Sequence, residues 1–180
     1  MATPLSDYEP IVGKNTLLEL RVLARHLQNV SVQHVNSTRV GGGVAEILAR
    51  MVPLLQDLGV AARWDVIEGD PSFFNVTKKM HNALHGRGED LSEEDIEAFW
   101  ETSRRNIAKM DLTGDILFIH DPQPIALVER KGQIGRRWIW RCHIDVSNPR
   151  SNACASWRGL SPATMRRCSP RPVFRSITSL

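Results

Sequence analysis

Apolar positions along this chain change their period from segment to segment, and the changes mark alternating helices and strands. Leu17, Leu20, Leu23, Ala24 and Leu27 share one face of a helix over 15–27, with Asn15 able to cap its start. Residues 30–36 read as a strand. Val44, Ile47, Leu48, Met51, Leu55 and Leu58 then recur as one buried helical stripe, which Gly59 is placed to end. Ala62, Trp64 and Val66 alternate with Arg63 and Asp65 in a strand ending near Glu68. Gly69-Asp70-Pro71 turns the chain into a helix over 72–84. Ser92 opens another, with Glu93, Glu94 and Asp95 at its positive end and Ile96, Phe99, Trp100, Ile107 and Met110 inward.

Ile116-Leu117-Phe118-Ile119, between Gly114 and Pro122, is the continuous apolar run of a strand covered on both faces. A brief helix over 125–130 and a strand over 138–144 complete the series. Strands alternating with helices predict an α/β fold with a Rossmann-like doubly wound parallel sheet over residues 1–149. Beyond Pro149 the periodicity stops. Residues 150–180 hold six serines, six arginines and three prolines with no acidic residue, and read as a disordered tail.

The junction Asn36-Ser37-Thr38-Arg39-Val40-Gly41-Gly42-Gly43 carries the most chemistry. Three glycines between a strand and a helix allow a tight turn and close approach of a ligand. The first amides of the helix favour an anion such as a phosphate. The same glycines also serve plain helix–sheet packing, and spacing alone leaves both readings open. In such sheets ligands bind beyond the carboxyl ends of the strands. Those ends also deliver His120-Asp121-Pro122-Gln123-Pro124 and His143-Ile144-Asp145. Imidazole, carboxylate and carboxamide groups suit sugar hydroxyls, which both donate and accept. A single His there is as well read as finishing its strand; two, beside a glycine loop, mark a site.

Composition narrows the classes. The formal charge of +3 is misleading, because the five arginines of 151–180 supply it. Without them 18 basic residues face 20 acidic ones, a formal −2, so the body is not a basic nucleic-acid binder. No apolar run reaches the roughly 20 residues of a membrane span, and no secretory signal is visible, so the cytoplasm is expected. Cys142, Cys154 and Cys168 suit neither a disulfide framework nor a zinc site. No dinucleotide fingerprint, P-loop or serine elbow occurs, and His81 and His85 lack the glutamate of a zinc-protease helix.

The runs 35–46 (Val-Asn-Ser-Thr-Arg-Val-Gly-Gly-Gly-Val-Ala-Glu), 64–69, 118–124 and 140–145 resemble the trehalose-forming glycosyltransferase called trehalose glycosyltransferring synthase. The resemblance covers roughly residues 10–149. It implies the N-terminal half of a GT-B fold and transfer of glucose from a nucleotide-diphosphate glucose to free glucose, with retention, giving trehalose. It implies no cofactor and no catalytic metal. Gly41, Gly42 and Gly43 resemble the loop that approaches the donor pyrophosphate. His143 resembles the catalytic-site histidine near the donor sugar. His120, Asp121 and Gln123, with Arg39 and Glu68, resemble sugar-binding groups. Where the resemblance ends near Pro149, the remainder reads like a shifted frame of a GC-rich gene, so an incomplete, inactive fragment is expected. A non-enzymatic sugar-binding module that pairs with a separate C-terminal domain is the alternative. An uncovered Trp138 and bare strands are expected to leave an apolar patch that drives association, as a homo-oligomer or otherwise.

Overall fold

The computed structural model describes residues 3–134 and 136–150; residues 151–180, with Cys154 and Cys168, lie outside the described residues. Its centre is a four-stranded parallel sheet made of β1 (Ser31–Asn36), β2 (Ala61–Val66), β3 (Ile116–His120) and β4 (Arg137–Arg141). The order across the sheet is β2-β1-β3-β4. The helices are α1 (Glu9–Val12), α2 (Lys14–Arg25), α3 (Gly43–Asp57), α4 (Pro71–Leu84), α5 (Glu93–Lys109) and α6 (Lys131–Ile134). Short 3-10 helices cover Leu5–Tyr8 and Ile125–Arg130. The Rossmann-like α/β architecture expected from the alternating periods is the one observed. No helix among the described residues is long and apolar enough to cross a membrane.

Strand alternation sorts the core into two layers. Val35, Leu117 and Ile119 pack with α4 and α5 through Phe73, Met80, Leu84 and Phe99. On the opposite face Val32, Ala62, Ile116 and Phe118 pack with Ala24 of α2 and with Leu48 and Val52 of α3. The central strands β1 and β3 are therefore covered on both faces, which is why β3 reads as an unbroken apolar run. Between the layers Gln33, fully buried, spends its whole carboxamide. Its Nε2 donates to Asp65 Oδ2 (2.8 Å) and Asp111 O (2.7 Å), and its Oε1 accepts from Gly114 N (3.1 Å). Full pairing makes a buried amide tolerable.

Local chemistry explains the ends. Asp70 caps α4 through Phe73 N (2.9 Å), with Pro71 in the first turn. Ser92 and Asp95 form a reciprocal capping box on α5. Gly59, at φ 82°, ends α3 as expected.

Four expectations need correcting. Asn15 is not the cap of α2: Gly13, at φ 80°, breaks the chain after α1, and α2 begins at Lys14, so Asn15 falls in the first turn. The apolar stripe of α3 is rotated, with Ala45, Leu48 and Val52 innermost and Ile47 exposed. The last strand stops at Arg141 rather than running to residue 144. Trp138 is fully buried, in the same core cluster as Ile125, Ala126, Leu127 and Val128 of the short helix. The exposed apolar side chains stand elsewhere, chiefly Ile11, Val12, Leu18, Val22 and Leu23 on α1 and α2.

Candidate functional site

The chain leaves β1 toward β2 on one side of the sheet and leaves β3 toward β4 on the other, so β1 and β3 flank the topological switch point. Ligands of open α/β sheets bind in the crevice that opens there. From β1 the chain enters the loop to α3. Asn36 Nδ2 donates to Thr38 O (3.2 Å), and the Thr38 hydroxyl donates to Val40 O (2.7 Å), which folds the loop on itself. Arg39 lies over the Trp64 ring, 4.9 Å from its centroid, and donates to Trp64 O (2.7 Å), tying the loop to β2. Gly41 and Gly42 take φ of 75° and 84°, a region that L side chains rarely adopt. Gly42 is the N-cap of α3 and has no side chain with which to cap it. A Cβ added at Gly41, Gly42 or Gly43 would meet nothing within 4 Å, so internal packing does not demand the three glycines. What they leave is open space beside the uncapped amides of a helix, a surface suited to an anion.

Between β1 and β4 runs a line of three imidazoles. His34 Nδ1 lies 3.0 Å from His120 Nε2, and His120 Nδ1 lies 3.0 Å from His143 Nε2. The rings overlap, with centroids 5.2 and 5.3 Å apart, and Phe118 closes the inner end 5.1 Å from His34. Burial pushes His34 down to about 4. Burial first, and then the neighbouring His34, His143 and Arg141, push His120 down to about 3. His143, half-buried, is also lowered by burial, against the pull of the Asp121 carboxylate. All three rings are therefore neutral near pH 7, and each holds one proton and one lone pair. Neighbouring Cys142 is pushed up to about 11 by burial, so its thiol stays protonated and is no nucleophile.

Asp121 holds the outer end of this line. Its Oδ1 accepts the backbone N–H of His143 (2.7 Å), its own N–H donates to Arg141 O (2.9 Å), and its carbonyl accepts from Trp140 Nε1 (2.9 Å). The structure thus joins His120, Asp121 and His143 and places them on the same edge of the sheet as Arg39 and Gly41–Gly43. Glu68 stands apart: its side chain is exposed and pairs with Lys109 (3.8 Å), and its backbone is held by Asn106. Gln123 turns inward beside a small cavity lined by Ile67, Phe73, Ser103 and Asn106, its Oε1 buried without a protein partner. No group of three His, Cys, Asp or Glu among the described residues is arranged to hold a metal ion.

Sequence reasoning missed His34. Its place in an apolar strand, two residues before Asn36 on the same face, was the available signal.

A family model described as "Trehalose synthase, N-terminal domain" matches residues 34–168, running on past Pro149. The chain belongs to that family. A trehalose synthase of Thermococcus litoralis is 50% identical over 149 residues, covering 81% of this chain and 35% of its own length. The trehalose synthase of Rubrobacter xylanophilus is 45% identical over 150 residues, with 81% and 36% covered. A trehalose phosphorylase of Grifola frondosa is 30% identical over 157 residues, with 79% and 21% covered. The chain thus spans about a third of the length of the trehalose synthases it matches. The family match begins at His34 and takes in the glycine loop, His120–Gln123 and His143.

Proposed function

We propose that this chain is the N-terminal part of a retaining glucosyltransferase that joins glucose from a nucleotide-diphosphate glucose to free glucose, giving trehalose. The observation that carries the reading is the family match over 34–168, which includes every candidate residue. The amides at the start of α3, opened by Gly41, Gly42 and Gly43, receive the donor diphosphate, and Arg39 adds positive charge at the loop. His143 donates a hydrogen bond to an oxygen of the bound sugar or of the leaving phosphate. Asp121 and His120 hold His143 in place. In this scheme the departing phosphate takes the proton of the attacking hydroxyl on the same face of the sugar. The protein then contributes orientation and stabilisation of the leaving charge, with no metal.

The relatives' further length supports a second element of the proposal. The region shared with them is one wall of the site, and the 180-residue chain alone does not turn over. The second reading is a sugar-binding module that works with a separately made C-terminal domain. The test is trehalose formation from nucleotide-diphosphate glucose and glucose, with trehalose plus phosphate as the phosphorylase control. No turnover by the chain alone, and turnover once it is extended with a relative's remaining length, is the expected result. Activity on mixing the chain with that length as a separate polypeptide favours the module. Turnover by the 180-residue chain alone overturns the one-wall reading.

A further inference from the structure

The three imidazoles end in the core. His34 Nδ1 is committed to His120, and His34 Nε2 is buried with no hydrogen-bond partner. A proton has no exit at that end, so the line is no conduit between solvent and the site. What it can do is fix a direction. In a row of neutral imidazoles each ring donates to the next, so the whole row points one way or the other. Pointing inward would leave His34 Nε2–H as an orphaned buried donor, the rarest kind of unpaired group. Pointing outward leaves only a lone pair there, and places the proton of His143 on Nδ1, since its Nε2 accepts from His120. The charge at the outer end agrees. The Asp121 carboxylate, whose Oδ1 accepts the His143 backbone N–H at 2.7 Å, also acts on the His143 ring. A carboxylate there favours N–H over a lone pair.

We propose that His34 and His120 are positioning residues that lock His143 as its Nδ1–H tautomer, so that it meets the ligand as a hydrogen-bond donor. The lock is a property of the free chain. That the donor faces a sugar or phosphate oxygen rests on the function proposed above. The lock requires the row to stay neutral, and the groups around it are Asp121, Arg141 and the three rings themselves. An imidazole free in water prefers the other tautomer, so the lock has a distinct signature.

The experiment is nitrogen NMR of the 15N-histidine-labelled 180-residue chain at neutral pH. His143 is expected as the Nδ1–H tautomer. His120→Phe removes the donor to His143 Nε2 and is expected to move its tautomer ratio about tenfold toward Nε2–H, one hydrogen bond's worth. His120→Asn keeps an amide N–H close to where Nδ1–H stood and is expected to restore the wild-type ratio, which a merely space-filling role for His120 would not do. An Nε2–H tautomer in the wild type overturns the proposal even if both variants fail to fold. So does a ratio unmoved by His120→Phe. Titration with D-glucose separates the two readings: resonances of His143 that ignore glucose count against the sugar-facing site and leave the lock standing.

Discussion

Asp121 Oδ1 accepts the backbone N–H of His143 at 2.7 Å, and Asp121 does so from a left-handed backbone conformation, φ 64°. One residue thus carries both a conformational cost of about 1–3 kcal/mol and a charged hydrogen bond that contributes about 1.5–3 kcal/mol. The two terms separate by substitution. Asp121→Asn keeps an acceptor and tolerates φ > 0, so a loss of about 0.5–1 kcal/mol is expected. Asp121→Gly relieves the backbone and loses the bond. Asp121→Ala keeps the backbone cost, loses the bond, and is expected to be the least stable of the three. Urea unfolding gives the order. Faster amide exchange at His143 in the Gly and Ala variants, but not in Asn, locates the effect.

The glycine loop separates stability from binding. Gly43 has ordinary φ and open space around its Cβ position, so Gly43→Ala is expected to hold the melting temperature or raise it slightly, by about 0.5–1 kcal/mol of helix propensity. The added methyl stands beside the amides that open α3. Binding of inorganic pyrophosphate, followed by calorimetry, is expected to weaken clearly. Gly42→Ala differs, because φ 84° costs about 1–2 kcal/mol whatever the space. Unchanged pyrophosphate affinity in Gly43→Ala counts against the anion reading of the loop.

A third variant tests the buried carboxamide. Gln33→Leu keeps the volume, leaves the buried Gly114 N–H without its partner, and takes one donor each from Asp111 O and Asp65, which keep Arg63. An unpaired buried group costs about 1–3 kcal/mol, so a loss of that size in urea unfolding is expected. A near-neutral substitution would mean that solvent reaches these groups.

The parts of the fold that were legible in the sequence are those governed by local period and local caps. Ile116–Ile119 announced a doubly covered strand because Leu117 and Phe118 face opposite layers. Ser92 and Asp70 announced their helices through bonds three residues away. The end of β4 was not legible. Trp138 and Trp140 keep an alternation that suggests continuation, but the Asp121 side chain takes the N–H of His143 in place of a ladder carbonyl. The short helices over 5–12 have no period of their own and are pinned by Leu5 N–H to Asp57 Oδ2, 52 residues away. His34 escaped notice for the same reason. Its partner is 86 residues distant, and only the register that sets His34 against Phe118 brings the rings together.

The same row gives the fold a pH dependence whose sign is fixed. His34 and His120 titrate at about 4 and about 3 when folded, against about 6.5 when unfolded. Above pH 6.5 both states are neutral and the rings add no slope. Below it the unfolded chain binds protons that the folded chain refuses. Stability therefore falls by about 1.4 kcal/mol per pH unit for each ring until the folded values are reached. Carboxylates such as Asp115, lowered by its bonds from Ser31 and by Arg136, contribute mainly below pH 4. The window from 6.5 to 4 is thus dominated by histidine. His34→Asn removes one titration of the row, in which His143 is lowered as well, and leaves an amide N–H near Nδ1 to serve His120. A modest loss at pH 7.5, of about 1–2 kcal/mol for the smaller side chain, is expected, together with a slope between pH 6 and pH 4.5 shallower than wild type by up to about 1.4 kcal/mol per pH unit. Unfolding free energies measured across that window check it. An unchanged slope would place His34 in water, contrary to its burial.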